Sequence, residues 1–313
     1  MRTRKGFTLV ELLVVIAIIA MLMGILMPAL SRVRQIAYRM VCGTNLSGIG
    51  KAMLIYSNDY DEEYPIAGGR GPIWSTSGSI QDWEGGTNHD AKTAFGAAPS
   101  GNSATITSSF FLLIKYADVT PKQFICKGDT GVKVFNLADE DITFNTDDIT
   151  DAWDFGTEPG KHCSYSYHMP YVGQSGASFP INVSSNPSCP VAADRSPYFD
   201  QNADSYLDDA NPDEDGPPTW KDGEYYDPDK TCNAAAHQRE GQNVLFNDSH
   251  VSFEKWPNCG VDNDNIWRFW GTNPPDDAED KQLSDGGEPG EVGEDEPMAE
   301  EDALLVCERQ DMY

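Results

Sequence analysis

The chain has 313 residues, 39% of them hydrophobic and 11% aromatic, with 50 acidic against 22 basic side chains and a formal charge of −28. That length accommodates one large or two small domains with a sizeable core. So acidic a surface repels nucleic acid and anionic lipid headgroups and attracts cations, which excludes nucleic-acid binding as the expected role of the globular part.

At the N-terminus Arg2, Arg4 and Lys5 precede Gly6, and from Phe7 to Leu30 the only ionisable side chain is Glu11. At about 1.5 Å per residue this run crosses a hydrocarbon core of roughly 30 Å as one helix, with the basic flank on the cytoplasmic side. The apolar run is too long for a secretory signal peptide, and Pro28-Ala29-Leu30 is a poor cleavage site. Glu11 is the anomaly. A carboxylate early in a membrane helix is costly unless something satisfies it, and a plain anchor gives it no partner. A neighbouring chain's free N-terminal amine would, provided that the chain is cut just before Phe7.

The segment Gly6-Phe7-Thr8-Leu9-Val10-Glu11 resembles the cleavage and methylation site of type IV prepilins and type II secretion pseudopilins. The resemblance implies that prepilin peptidase cuts after Gly6 and methylates Phe7. It further implies that Glu11 pairs with an adjacent subunit's N-terminus while the helices stack into a filament core. The implied partners are prepilin peptidase, copies of this chain or other pilin-like subunits, and the inner-membrane assembly machinery. The implied location is a single-pass inner-membrane protein with a periplasmic C-terminal domain, and a filament after assembly. Losing Arg2, Arg4 and Lys5 from the 22 basic residues leaves 19 against 50 acidic ones, a charge of −31.

Downstream, Gly24 and Pro28 are positions where the helix can kink, and Leu30, Val33, Ile36, Ala37 and Met40 continue an apolar stripe at helical spacing. A second stripe, Leu46, Ile49, Met53, Tyr56 and Tyr60, predicts that the helix lies against the globular domain. The stretch from Ala67 to Asn102 reads as a long irregular excursion. Phe110 to Tyr116 predicts a short helix or strand, and Phe124 to Cys126 a short strand. The turn Cys126-Lys127-Gly128-Asp129 resembles a C-P-S-D element of a subfamily of large pilin-like proteins, with Lys127 and Gly128 departing from it. Ser164 to His168 and Pro190 to Asp194 predict two sheet strands.

Asp200, Asn202, Asp204 and Asp208 place oxygen side chains at positions one, three, five and nine of a calcium loop, with the Tyr206 carbonyl at seven. Ser205 and Asn211 stand where such a loop has its turn Gly and bidentate Glu, so a Ca2+ site and a solvated acidic loop both stay open. From His237 to His250 the chain resembles the H-x9-DG element of the same large-pilin-like subfamily, one residue longer and with Ser249 in place of Gly. Asn243 to Phe246 is expected to pair with His250 to Phe253 across Asn247-Asp248-Ser249, and Ser249 makes a strict type I′ turn doubtful. His237, Asp248 and His250 are of types that suit a His/Asp site, but turn-stabilising hydrogen bonds are the simpler role. The Cys163/His168 and Cys232/His237 spacings can also be written as zinc ligands without being diagnostic.

The seven cysteines fall on the exported side, where disulfides are the default. The pairs expected are Cys42 with Cys126, which the resemblance implies, Cys163 with Cys189 and Cys232 with Cys259; the odd count leaves one over. Beyond Trp270 the composition turns acidic and apolar-poor, which predicts disorder; the last apolar patch, Ala303 to Cys307, is left open. There is no phosphate-binding Gly loop, no G-x-S-x-G and no nucleophile and base at recognisable spacing, so no enzyme activity is expected.

The expected organisation is therefore a leader over 1–6, a transmembrane and filament-core helix over 7–30, and its amphipathic continuation over 31–64. An exported α+β domain over 65–273 and an acidic disordered tail over 274–313 complete it. The fold is a long N-terminal helix packed on an antiparallel sheet. The function expected is that of a pilin or pseudopilin, a structural filament subunit. The competing reading is a membrane-anchored exported binding protein, calcium-dependent or not, or an enzyme that uses the leader only for sorting.

Overall fold

The computed structural model describes residues 8–69, 73–74, 80, 82–96, 103–140, 148–172, 178–199, 219–221, 224–226, 232–270, 297 and 299–308. Helix α1 runs unbroken from Leu9–Asp59 through Pro28. Its end is set chemically: Asp59, Asp61, Glu62 and Glu63 crowd the negative pole of the helix dipole, and Asp61 and Glu62 adopt positive φ. The helix thus stops short of residue 64.

Two short strands, β1 (Ile73–Trp74) and β2 (Ser103–Ala104), pair in parallel and flank helix α2 (Ala91–Phe95). The apolar stretch after them is helix α3 (Ile106–Tyr116), resolving the helix-or-strand ambiguity. Thr105 accepts from the Ser108 N–H while the Ser108 hydroxyl accepts from the Thr105 N–H, a reciprocal cap. The strand expected at Phe124 to Cys126 is instead a 3-10 turn at Pro121–Phe124 followed by one extended residue, Ile125. Pro121 at the turn's first position favours that geometry.

Strands β3 (Tyr165–His168) and β4 (Pro190–Asp194) form as expected; β5 (Thr219–Lys221) and β6 (Glu224–Tyr226) make a separate hairpin. Strands β7 (Gln242–Phe246) and β8 (Val251–Glu254) form the C-terminal hairpin, and β9 (Leu305–Val306) closes the sheet. The main sheet is five-stranded and antiparallel, in the order β8-β7-β4-β3-β9. The hairpin register pairs Asn243 with Phe253, Val244 with Ser252 and Leu245 with Val251, and the Phe246 N–H donates to the His250 carbonyl. Of the three turn residues only Ser249 takes positive φ, at 70°. This is a three-residue loop with a left-handed last residue, not a type I′ turn.

Both faces of the sheet are covered, which is why β4 and β7 lack the polar alternation of a half-exposed sheet. On one face Leu245, Ala192 and Val306 join Leu46, Ile49 and Met53 of α1 and the rings of α3 in the main core. On the other, Val244, Phe246, Ala193 and Leu305 pack with Ile266 and Trp267. α1 sits close enough that a side-chain carbon on Gly50 would come within 2.8 Å of Leu245. Phe111, Phe124, Phe135 and Phe155 extend the main core as edge-to-face pairs with ring centroids 5.0 to 6.0 Å apart.

The expected tail needs correction at its end: Ala303 to Cys307 docks as β9 and its flanks, all buried. Glu308 explains the docking. Its carboxylate accepts from the Ile106 and Thr107 N–H groups at 2.6 and 3.0 Å and from Trp74 Nε1 at 3.0 Å. It therefore satisfies donors at the start of α3 that the helix itself leaves unpaired.

Candidate functional site

Two regions carry the chemistry: the exposed N-terminal half of α1 and a polar cluster where α1 first meets the domain. At the N-terminus Thr8 caps α1, accepting from the Glu11 N–H, while the Glu11 carboxylate accepts from the Thr8 N–H and hydroxyl at 2.8 Å each. Thr8 and Glu11, three residues apart, thus form a capping box, a local role for Glu11 that the sequence reading did not assign. From Leu9 to Met40 the large apolar side chains are exposed throughout: Leu30, Val33, Ile36 and Met40 are 59%, 61%, 51% and 69% accessible. The first apolar stripe therefore does not pack on the domain. Burial begins abruptly at Cys42 and follows Leu46, Ile49, Met53 and Tyr56.

Cys42 is disulfide-bonded to Cys126, with Cα atoms 5.4 Å apart. Beside the bond lies His237, whose Nε2 is 3.8 Å from Cys126 Sγ and 3.1 Å from Asp194 Oδ2. Asp194 Oδ2 also accepts from Asn243, from the backbone N–H at 2.6 Å and from Nδ2 at 2.9 Å. Cys42, Cys126, Asp194 and His237 are wholly buried. The Gly128 N–H donates to Cys126 Sγ at 3.3 Å. Residue 128 must be Gly because a Cβ there would lie 2.0 Å from the Ala236 carbonyl.

The other cysteine pairings are corrected: among the described residues Cys163, Cys189, Cys259 and Cys307 are free thiols, so neither Cys163–Cys189 nor Cys232–Cys259 is formed. Cys163 Sγ donates to the Tyr165 carbonyl and Cys189 Sγ to that of Glu300, while Cys232 Sγ lies against Asn233. Nor do the Cys-x4-His spacings produce ligand pairs. His237 faces Cys126 instead of Cys232, and His168 Nε2 is 2.9 Å from the Phe179 carbonyl. Burial pushes His168 down to about 4, so its ring is neutral. Asp248 and His250 are exposed on the hairpin turn and pair with each other, and Asp248 Oδ1 also accepts the His250 N–H. Those bonds hold the Asp248 carboxyl below its usual range. His237 is thus separated from Asp248 and His250 by the length of β7, and no His/Asp site unites them.

The partners of His237 that the sequence reading missed are Asp194 and Asn243. The available signal was a carboxylate closing the apolar strand Pro190 to Asp194. A second buried charge, Arg195, bonds Asp129 at 3.1 Å and the carbonyls of Gly160 and Glu308 at 2.7 and 2.9 Å. Gly6, Phe7, Asp200, Asn202, Asp204, Tyr206 and Asp208 lie outside the described residues.

Residues 1–27 match the prokaryotic N-terminal methylation motif. The leader is therefore of the prepilin type, a class that implies prepilin peptidase processing and filament assembly in general. The apolar helix behind it is long enough to cross a membrane once. No curated protein and no solved structure matches the chain.

Proposed function

We propose that the chain is a structural subunit of a type IV pilus-like or type II secretion-like filament. In this reading the chain is cut between Gly6 and Phe7, methylated on Phe7 and assembled through α1, and its role is assembly instead of catalysis. The resemblance of its C-terminal hairpin and Cys126 turn to elements of the large-pilin-like subfamily supports a subunit of that kind. The observation that carries the reading, beside the leader motif, is the length of helix left bare. Leu9 to Val41 measures about 50 Å at 1.5 Å per residue, whereas a hydrocarbon core takes up roughly 30 Å. Along the remaining 20 Å the apolar stripe of Val33, Ile36 and Met40 has neither lipid nor its own domain to cover it. Stacked copies of the same helix would bury that stripe.

Glu11 supplies the register. Within one chain both bonds to its carboxylate end on Oε2, which leaves Oε1 to accept from a neighbour's N-terminal amine. A charge that is satisfied at one axial offset only selects that offset. The decisive experiment is mass spectrometry of the mature N-terminus together with filament recovery from cells carrying Glu11→Ala. The expected outcome is a chain beginning at methylated Phe7, and a variant that inserts into the membrane but is missing from filaments. An intact Met1 in mature material, or filaments containing Glu11→Ala at the wild-type level, would overturn the proposal.

A further inference from the structure

The geometry points to a second state for the cluster that clips α1 to the domain: when the Cys42–Cys126 bond is reduced, the same side chains form a zinc site. Its ligands are the Cys42 and Cys126 thiolates, His237 Nε2 and a carboxylate oxygen of Asp194. Four ligand atoms, one from each residue, already lie within 4.8 Å of one another. A tetrahedral Zn2+ with bonds of about 2.0 to 2.3 Å brings its ligand atoms to about 3.3 to 3.8 Å. The His237 to Cys126 and His237 to Asp194 separations, 3.8 and 3.1 Å, stand near that spacing before any adjustment. Two sulfurs, one imidazole and one carboxylate are a donor set that favours zinc over the hard cations, which take oxygen ligands only.

Three further observations belong to a ligand site and are not needed by a disulfide alone. First, Asp194 Oδ1 is wholly buried with no hydrogen-bond partner. Buried polar atoms are rarely left so. Second, Asn243 fixes the Asp194 carboxylate through two bonds to Oδ2, the kind of outer contact that orients a metal ligand. Third, the Gly128 N–H aimed at Cys126 Sγ stabilises negative charge on that sulfur, which is present in a thiolate and absent from a disulfide. The ligands come from α1, the turn after Phe124, the end of β4 and the 3-10 turn Ala235–His237. Either state therefore ties the helix to the sheet.

The exchange balances with a dithiol as reductant. The dithiol gives two electrons and becomes a disulfide, the Cys42–Cys126 bond breaks, and two thiols result. Zn2+ then displaces one proton from each thiol, so that two protons leave as two zinc–sulfur bonds form. Reoxidation by a disulfide reverses the sequence and releases the metal.

The test uses the full chain in detergent micelles, reduced anaerobically with a phosphine and given zinc or cobalt(II) alone. One zinc should remain bound per reduced chain and leave on reoxidation. Cobalt(II) should show thiolate charge-transfer and tetrahedral d–d absorption. Cys42→Ser with Cys126→Ser should bind none, Cys163→Ser should bind as wild type does, and Asn243→Ala should weaken binding about 10- to 100-fold. Should a variant fail to fold, zinc protection of Cys42 and Cys126 from alkylation in the wild-type chain, read by mass spectrometry, gives the same answer. The proposal is overturned if the reduced wild type holds no more zinc than the double variant. It is equally overturned if zinc leaves alkylation unchanged, or if His237→Ala leaves the cobalt spectrum unaltered.

Discussion

Removing the Cys42–Cys126 bond should cost the domain a large part of its stability, because the bond closes a long loop where α1 first becomes buried. The two residues are 84 apart in sequence. For a loop of that length the chain-entropy expression gives about 15 cal/mol/K, or about 4.5 kcal/mol at 25 °C, of unfolded-state freedom restored when the link is absent. Measured losses fall below this limit when the unfolded chain stays compact, so a loss of about 2 to 4.5 kcal/mol is expected for Cys42→Ala with Cys126→Ala. Urea unfolding in micelles with a chelator present isolates the covalent contribution from any metal. Tryptophan fluorescence provides the signal, since Trp74, Trp83, Trp153, Trp267 and Trp270 are all buried in the domain. The slope of the transition should steepen as well, because the unlinked chain exposes more surface. A loss under about 1 kcal/mol with an unchanged slope would refute the reasoning, since it would mean that the link does not constrain the unfolded chain.

Arg195→Leu should destabilise by about 3 to 5 kcal/mol in the same assay, because Asp129 and the carbonyls of Gly160, Cys163 and Glu308 would lose their buried cation; Asp129→Asn, which keeps an acceptor, should cost less. Asp154 is buried beside Glu308, and desolvation first and that neighbour second push its carboxyl up to about 8. The folded state thus holds a proton that the unfolded state releases, and stability should fall as pH rises from about 4 to 8, by at most about 1.4 kcal/mol per pH unit. His168, neutral when folded, works in the opposite sense between about 4 and 6.5. The net fall should therefore be visible from about pH 6.5 to 8 and flatten in Asp154→Asn; an identical profile in the variant would exclude Asp154 as its source. Gly128→Ala should separate the Cys126 and His237 turns, since the new methyl group would strike the Ala236 carbonyl. The expected result is a loss of more than about 1 kcal/mol and faster alkylation of Cys126 after reduction.

Local pattern carried much of this protein into view from the sequence. The apolar run with its lone Glu11, the period of Leu46, Ile49, Met53 and Tyr56, and the hairpin from Asn243 to Phe253 depend on contacts between near neighbours or on a single repeating face. Such signals survive in one dimension. The register of that hairpin followed from its loop length, and Ser249 at φ 70° showed how a non-Gly residue fills the left-handed position.

What the tertiary structure alone decided are the long-range encounters. Nothing in the order of residues announces that Glu308 caps α3 some two hundred positions earlier, or that Leu305 and Val306 return from an acidic segment to form the sheet edge. Cysteine pairing depends on which sulfurs the fold brings together, and placement at separate points of the domain left Cys163, Cys189 and Cys259 without the bonds expected of them. The meeting of His237 with Asp194, Asn243 and Cys126 has the same origin. Its members lie on four segments that acquire a common neighbourhood only when α1 settles on the sheet, so no spacing in the chain could have revealed it.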